Sequence, residues 1–231
     1  APPLETVLDP RGDLWIMTYG AGLIRIRPAV LRHIPVSEGQ PWVDRLWLDS
    51  ADHLWAQTAD GWSVFDPRRI GAKIGLTPPA FGHPTELGGG RILLFNAGMR
   101  RVVRLEGDAF RVESSEVSTT KGACTQLRLR DGRNLLGADT GLLVLERELP
   151  TPLAVEGDVA AVRAMLELDD GRLVLGTRGG GLQILDTERR VRTVDDGGLN
   201  VDNIRHVRRD GDTLWVSTED AGLCAVGPLS D

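Results

Sequence analysis

Eight side chains of this sequence could together bind a polar or anionic small molecule. Arginine binds carboxylates through paired N–H donors, and tryptophan offers a flat apolar surface for a sugar-like ring. Asparagine and histidine add further hydrogen-bonding groups. The predicted ligand-binding residues are Trp42, Arg45, Trp62, Arg163, Arg178, Asn203, Arg205 and His206.

No catalytic or metal-binding motif accompanies these residues. The sequence has neither a G-x-S-x-G nucleophile motif nor an H-E-x-x-H metal motif. Its four histidines are scattered, without Cys or carboxylate partners at ligand spacing. The run Arg178-Gly179-Gly180-Gly181 is followed by no predicted helix, which a phosphate-binding loop requires. We therefore expect no catalytic residue, no metal and no cofactor.

The elements that position the candidate residues come from a repeat. The pattern D-x-x-G-x-L-W-[IV]-x-T-x-x-G-L begins at Asp9 and recurs along the chain. Subtracting the positions of its anchor residue, the Trp of the pattern, gives spacings of 38 to 42 residues, which indicate a repeat architecture. Leu or Val replaces Trp in three copies, so we expect the position to need a large apolar side chain more than an indole. The anchors are Trp15, Trp55, Leu93, Leu135, Val174 and Trp215.

Each copy predicts about four short β-strands. An alternation of apolar and polar residues, as in Leu4–Leu8 and Val162–Leu168, predicts the first strand. An Asp- and Gly-rich first turn, the anchor strand, a second turn ending in Gly-Leu and a third strand follow. A weaker fourth strand, such as Val191–Val194, precedes the crossing to the next copy. Four antiparallel strands per forty-residue repeat are typical of a β-propeller blade.

The sequence therefore predicts an all-β fold, with residues 1–231 forming a single β-propeller domain of about six blades. Copy three should be irregular, because its first strand is indistinct around His83–Leu87 and Gly88-Gly89-Gly90 replaces the Asp-Gly turn. The last copy stops after a third strand, and only Ala1-Pro2-Pro3 is left to pair with it. Since proline cannot donate to a sheet ladder, we expect either a closing blade of three strands or a part of a larger ring.

The repeat resembles that of the two-component regulator propeller family. Copies one and six match the family pattern best, through Asp9, Gly12, Leu14, Trp15, Thr18, Gly22 and Leu23 and through Gly211, Leu214, Trp215, Thr218, Gly222 and Leu223. This family forms the periplasmic sensing propellers of bacterial hybrid histidine kinases and some diguanylate cyclases. The resemblance implies a non-catalytic, extracytoplasmic sensor for a small molecule or a protein partner. Family propellers usually have seven blades and further domains, whereas this chain has six copies.

Composition narrows the possible partners. The chain has 231 residues and a net charge of −6, which argues against a nucleic-acid-binding surface. No apolar run is long enough for a membrane helix and no leader opens the chain, so any membrane anchor would belong to a longer parent protein. The two cysteines, Cys124 and Cys224, are expected to be buried free thiols, with a disulfide as the alternative.

We expect the ligand to bind at one face of the disc. In the usual strand order, the first turns lie on one face, and the second turns share the other face with the crossings between blades. The candidate residues belong to this second face, together with Tyr19, Asp44, Asp60, Met99, Gln126, Asp139, Asp202, Glu219 and Asp220. Three hypotheses follow: a sensor for a sugar-like or carboxylated molecule or a protein partner, an assembly scaffold that could be a homo-oligomer, and a hydrolase or lyase at the channel mouth.

Overall fold

The structure, a computed structural model, describes 14 segments of the chain in two compact units. The first unit comprises Ala1–Leu94 and Arg100–Glu116, and the second comprises Phe95–Met99 and Val117–Asp231. The regular elements of the described residues are β-strands, and none of these residues belongs to a helix able to cross a bilayer. The described residues are 3–18, 22–27, 30–34, 43, 45–58, 61–66, 73–76, 84–96, 99–106, 109–117, 123–146, 148–195, 201–219 and 221–227.

The strands form six antiparallel sheets, one for each repeat. Sheet one contains β1 (Pro3–Leu8), β2 (Leu14–Thr18), β3 (Gly22–Arg27) and β4 (Val30–Ile34). Sheet two contains β5 (Arg45–Leu48), β6 (Leu54–Thr58), β7 (Gly61–Phe65) and β8 (Lys73–Leu76). Sheet three contains β9 (Thr85–Gly88), β10 (Arg91–Asn96), β11 (Met99–Glu106) and β12 (Ala109–Val117).

The remaining sheets belong to the second unit. Sheet four contains β13 (Ala123–Arg128), β14 (Asn134–Ala138), β15 (Gly141–Glu146) and β16 (Leu149–Pro152). Sheet five contains β17 (Ala161–Glu167), β18 (Leu173–Arg178), β19 (Leu182–Leu185) and β20 (Val191–Thr193). Sheet six contains β21 (Ile204–Asp210), β22 (Thr213–Thr218) and β23 (Leu223–Val226).

Within every sheet, strands that follow one another in sequence are hydrogen-bonded neighbours. This order confirms the predicted meander, and it separates the first turn from the second turn at opposite ends of each sheet. Sheet six has three strands within the described residues. Pro3 begins β1 and pairs with Thr18, so it belongs to sheet one and is not left over as we had expected.

Two sheets differ in detail from the sequence-based expectation. Sheet three has all four strands, and its irregularity is a register shift between Arg91 and Ile92. The shift follows the turn of three glycines, Gly88, Gly89 and Gly90, which all have positive φ. In sheet four, β16 contains two prolines and carried no strand signal in the sequence. It is an edge strand, where a missing N–H donor is tolerated.

The first turns of sheets one and two are held by an aspartate that also binds the anchor indole. Asp9 Oδ1 accepts the backbone N–H of Arg11 at 2.9 Å and of Asp13 at 3.0 Å, while Oδ2 accepts Trp15 Nε1–H at 3.0 Å. Asp49 repeats this arrangement in sheet two and accepts Trp55 Nε1–H at 2.9 Å. The indole is therefore a hydrogen-bond donor in these copies, so tryptophan contributes more here than the large apolar side chain that we expected.

A threonine closes the second turn of three sheets. Thr58 Oγ1–H donates to the carbonyl of Gly61 at 3.1 Å, and Thr177 and Thr218 make the same bond to Gly181 and Gly222 at 2.7 and 3.1 Å. These bonds explain the Thr of the repeat pattern, because the hydroxyl gives the glycine carbonyl a second donor. The carbonyls of Gly181 and Gly222 also accept the backbone N–H of Thr177 and Thr218, at 3.1 and 2.8 Å.

Successive sheets within each unit pack face to face. We call the face that carries the anchor side chain the anchor face and the opposite face the preceding face. In the first unit, the anchor face of sheet one packs on the preceding face of sheet two, and sheet two packs in the same way on sheet three. Sheets four, five and six repeat this packing in the second unit. Five of the six anchors, Trp15, Trp55, Leu93, Leu135 and Val174, are at most 1% exposed.

The Asp9–Trp15 bond can be tested by a double-mutant cycle. Asp9→Leu removes the acceptor of the indole N–H and of two backbone N–H groups, so we expect a loss of about 1–3 kcal/mol in the free energy of unfolding. In a Trp15→Leu background the loss should be smaller, with a coupling energy above about 0.5 kcal/mol. Urea denaturation measures both values. Asp212→Leu, at an exposed turn, is the control, and additive effects of the two changes would contradict the interpretation.

Candidate functional site

The structure describes seven of the eight candidate residues, and Trp42 lies outside the described part of the chain. Arg45 is the half-buried first residue of β5 in the first unit. In the second unit, Arg163 lies near the start of β17, Arg178 ends β18, and Asn203, Arg205 and His206 lie at or beside the start of β21. These six residues occupy the second-turn ends of their own sheets, as the predicted strand order requires.

Trp62 must be removed from the candidate site. Its side chain is fully buried, with 0% exposure, in the cluster between sheets two and three. Its ring centroid lies 6.4 Å from that of Trp55, which in turn lies 5.3 Å from Trp47 and 5.2 Å from Phe110. The indole at this Gly-Leu position therefore packs between two sheets and cannot serve as an exposed surface for a sugar ring.

The two arginines on the first strands of sheets five and six are bulge residues. The register of β17 against β18 shifts between Val162 and Ala164, and the register of β21 against β22 shifts between Ile204 and His206. Arg163 and Arg205 are thus the extra residues of their strands. A β-bulge re-aims the side chain of its extra residue and often lies beside a functional site.

Close packing accompanies each bulge. Val162 and Ile204, the residues just before the bulges, are 0% and 2% exposed. A Cβ atom added at Gly137 of sheet four would lie 2.7 Å from Val162 Cγ1, and one added at Gly176 of sheet five would lie 2.5 Å from Ile204 Cγ2. These distances are too short for real carbon contacts, so glycine is required where the following sheet inserts its branched side chain.

Asp139 brings two arginines together. It lies in the second turn of sheet four, and its Oδ1 is 2.8 Å from Arg163 Nη2 and 3.7 Å from Arg178 Nη2. The Asp139 and Arg178 side chains are 47% and 57% exposed, whereas Arg163 is 23% exposed. Arg178 is the more exposed of the two arginines, and its Nη2 is 3.7 Å from the Asp139 carboxylate, so an anion from solvent could reach this guanidinium.

The crossing before β21 is bound to the second turns on both sides. Gly179 and Gly181 N–H donate to the carbonyl of Asp202 at 2.8 and 3.1 Å, and Glu219 N–H donates to the carbonyl of Asn203 at 3.0 Å. Residues 178 and 203 also form an antiparallel bridge. The backbone that carries the candidate residues in sheets five and six is therefore fixed by main-chain bonds, which pre-organises their side chains.

Arg205 and His206 of sheet six each have a polar partner on β22 or in the turn after it. Arg205 Nε donates to Glu219 Oε1 at 2.8 Å, with the two side chains 62% and 40% exposed. His206 Nδ1 lies 3.2 Å from Ser217 Oγ, and the His206 side chain is exposed. Among the described residues, no three Cys, His, Asp or Glu side chains are grouped as metal ligands.

The opposite, first-turn ends of sheets four to six carry an ionic chain. Arg130 of sheet four and Arg209 of sheet six both bind the Asp169 carboxylate of sheet five, at 2.7 and 2.6 Å. The hydrogen bond from Arg209, followed by that from Arg130, lowers the pKa of Asp169 below its usual value. The Arg130 backbone N–H also donates to Glu167 at 2.9 Å. These charges serve to link neighbouring sheets.

The sequence placed the arginines on the correct ends of the strands but did not reveal the bulges. A signal was present in β17, because Ala164, Met165 and Leu166 are three successive apolar residues and interrupt the alternation. The pairing of Asp139 with arginines from the next sheet had no sequence signal, since the residues are 24 and 39 positions apart.

Comparisons with known proteins match the fold and not the sequence. No family model and no curated protein matches the chain. The extracellular domain of BT3049 from B. thetaiotaomicron, assigned to a hybrid two component system, is 18% identical, with a TM-score of 0.76 over 96% of this chain and 33% of that chain. Virginiamycin B lyase from Staphylococcus aureus is 12% identical, with a TM-score of 0.72 over 99% of this chain and 85% of the lyase chain. PorZ of the Porphyromonas gingivalis type-IX secretion system is 14% identical, with a TM-score of 0.69 over 96% of this chain and 38% of the PorZ chain.

Together with the six sheets, these structures confirm the predicted fold class. The chain is an all-β propeller of about six blades, mostly with four strands each. It spans about a third of the length of the BT3049 domain.

The role of the glycines beside the bulges can be measured through stability. Gly176→Ala places a methyl group against Ile204, so we expect a loss of about 1–3 kcal/mol in the free energy of unfolding from overpacking. Gly227→Ala is the matched control, because a Cβ atom there meets nothing within 4 Å, and its effect should stay within about 0.5 kcal/mol. Chemical denaturation compares the two, and equal stabilities would refute the packing argument.

The ionic chain predicts a pKa change. Arg209→Ala removes the largest cause of the lowered pKa of Asp169, so this pKa should rise towards its usual value. In the native chain the ion pairs of Asp169 contribute to stability above the usual pKa, and the contribution is lost as the pH falls through the lowered value. An NMR titration of the Asp169 carboxyl group measures the shift. Arg205→Ala should leave it unchanged, and an unaltered pKa in Arg209→Ala would contradict the assignment.

Proposed function

We propose that this chain is the sensing propeller of an extracytoplasmic bacterial signalling protein, and that it binds a small carboxylated molecule at the second-turn ends of sheets four to six. The residues that would bind it are Arg163 and Arg178, with Arg205 and Asn203 beside them. We call this group the arginine site. In this proposal the chain itself is non-catalytic and passes the binding event to a signalling module of a longer parent protein.

Two lines of support favour a sensor. The repeat pattern resembles that of two-component regulator propellers, and the structural similarity to BT3049 is with an extracellular domain assigned to a hybrid two component system. The similarity to BT3049, at 18% identity, establishes only a shared fold. The extracytoplasmic location and the membership of the same family are therefore parts of our proposal.

The ligand class rests on the convergence of Arg163 and Arg178 on Asp139. The Arg178 guanidinium has five N–H donors and is 57% exposed, and its Nη2 lies 3.7 Å from Asp139 Oδ1, which is beyond hydrogen-bond distance. The second turns lie on strand ends, where the side chains are open to solvent and the backbone is held by the bonds to Asp202 and Asn203. A ligand carboxylate could therefore replace Asp139 as the partner of one arginine without rearrangement of the strands.

A thermal-shift screen of carboxylates, sugar acids and neutral sugars, followed by calorimetry of the hits, tests this proposal. Binding to the native state raises the melting temperature. Arg163→Ala or Arg178→Ala should lower the affinity for a carboxylate ligand by about tenfold or more, because a hydrogen bond to a charged group contributes about 1.5–3 kcal/mol. Asp139→Asn should raise the affinity for the carboxylate ligand, since the Asp139 carboxylate, which competes with the ligand for the arginines, is replaced by a neutral amide.

The control for this screen is Arg172→Ala, which removes a first-turn arginine bound to Asp170 at 2.7 Å. It should leave the affinity unchanged. Hits that respond equally to Arg172→Ala and Arg178→Ala, or hits limited to neutral sugars that Asp139→Asn does not affect, would contradict an anion site at these residues.

A lyase is the second candidate function. It is favoured by the similarity to virginiamycin B lyase, which extends over 99% of this chain and 85% of that enzyme. The exposed His206, which lies beside Ser217 and follows Arg205 of the arginine site, is the neighbouring side chain best suited to proton transfer. Conversion of virginiamycin B, followed by chromatography and lost on His206→Ala, would favour this function over the sensor. A scaffold without a small ligand is the remaining alternative, and it predicts no hit in either assay.

A further inference from the structure

Two sheet faces of this chain carry the apolar residues of a packed junction but are less buried than the faces that meet at the junctions within each unit. At four junctions, the anchor face of one sheet is buried against the preceding face of the next. The anchor face of sheet six and the preceding face of sheet one do not follow this rule. We call these two surfaces the end faces.

The anchor face of sheet six is exposed along its length. Trp215 is 40% exposed, whereas the anchor Trp15 of sheet one is 1% exposed. Leu223, the Leu of the Gly-Leu position, is 67% exposed, whereas the equivalent Leu23 is 0% exposed. Arg208, opposite Trp215 on β21, is also exposed. The residue types of a buried junction are therefore present here without the burial.

The preceding face of sheet one shows the complementary feature. Its aliphatic residues are half-buried at Leu14, Ile16, Ile24 and Ile26, and Leu8 is 66% exposed. None of these five side chains belongs to a core cluster of the described residues. The corresponding Leu54 and Phe65 of sheet two are 0% and 2% exposed.

We infer that the end faces bind each other between two copies of this chain, with sheet six of one copy packed on sheet one of the other. The two surfaces are of the two kinds that meet at every junction: an anchor face with Trp and Leu, and a preceding face rich in Leu and Ile. Contiguous apolar surface on a soluble domain commonly marks an interaction site. Because the two faces differ, the contact is heterologous, and one copy can bind a neighbour at each end.

The experiment uses a matched pair of substitutions at the two exposed leucines. Leu8→Arg disables the sheet-one face, and Leu223→Arg disables the sheet-six face. Both side chains are about two-thirds exposed, so neither change should disturb the fold, which circular dichroism and thermal denaturation would verify. Leu149→Arg, at another exposed leucine outside both end faces, is the control. Sedimentation and light scattering over a range of concentrations measure the mass.

The native chain and Leu149→Arg should associate, whereas Leu8→Arg and Leu223→Arg alone should each weaken association by about tenfold or more. A mixture of these two variants keeps one intact junction, because Leu8→Arg retains the sheet-six face and Leu223→Arg retains the sheet-one face. The mixture should therefore form a heterodimer that cannot extend.

Three results would overturn the proposal. The first is a native chain that remains monomeric at every concentration. The second is association lost only in Leu223→Arg, which would indicate contact between two sheet-six faces. The third is a mixture of the variants that stays monomeric although the native chain associates. Trp215→Arg and Ile16→Arg, on the same two faces, should give the same mixing behaviour and guard against an effect peculiar to either leucine.

Discussion

Burial of one sheet against the next is the interaction on which this structure depends. A single four-stranded sheet cannot bury both of its faces, so each repeat relies on its neighbours for a core. At the junctions of sheets one and two and of sheets five and six, the anchor residues Trp15 and Val174 are 1% and 0% exposed. With the faces occupied in this way, solvent reaches mainly the strand ends and the outer edges. Apart from the two end faces, the side chains available for binding are therefore found at the turns and the crossings.

The same packing position is stabilised in two different ways. In sheets one and two the anchor is a Trp whose indole N–H binds Asp9 or Asp49. In sheet four the residues at the corresponding turn and anchor are Leu129 and Leu135, which are 7% and 1% exposed. The aspartate and the tryptophan are replaced together, because a buried carboxylate without its donors, or an indole without its acceptor, would cost more than an apolar pair.

The packing of one sheet on the next positions the arginines of the candidate site. Val162 and Ile204 fill the space left by Gly137 and Gly176, and the next residue of each strand is the bulged arginine. In each strand, a buried aliphatic residue is thus followed directly by an arginine whose direction the bulge changes. The second turns of sheets four to six present Asp139, Arg178 and Glu219 at equivalent positions, just after Ala138, Thr177 and Thr218. This alternation of charge provides the partners that hold Arg163 and Arg205.

The sequence was sufficient for features that depend on local patterns. The forty-residue period, the alternation of the strands and the Asp, Gly and Thr residues of the turns predicted an all-β propeller of about six blades and the end of each sheet on which the arginines lie. These signals are local, because a strand or turn is encoded by residues a few positions apart. Strand β16, with its two prolines, lacked such a signal because an edge strand tolerates a missing donor.

Only the tertiary structure decided which of these residues share a site. Trp62 has the sequence context of a turn residue, yet its indole packs between two sheets, because the Gly-Leu position points inward in every junction that the described residues form. The convergence of Arg163 and Arg178 on Asp139 depends on three strands from two repeats. The distances between such residues are set by how the sheets stack on one another, and the spacing of residues along the chain does not determine that packing.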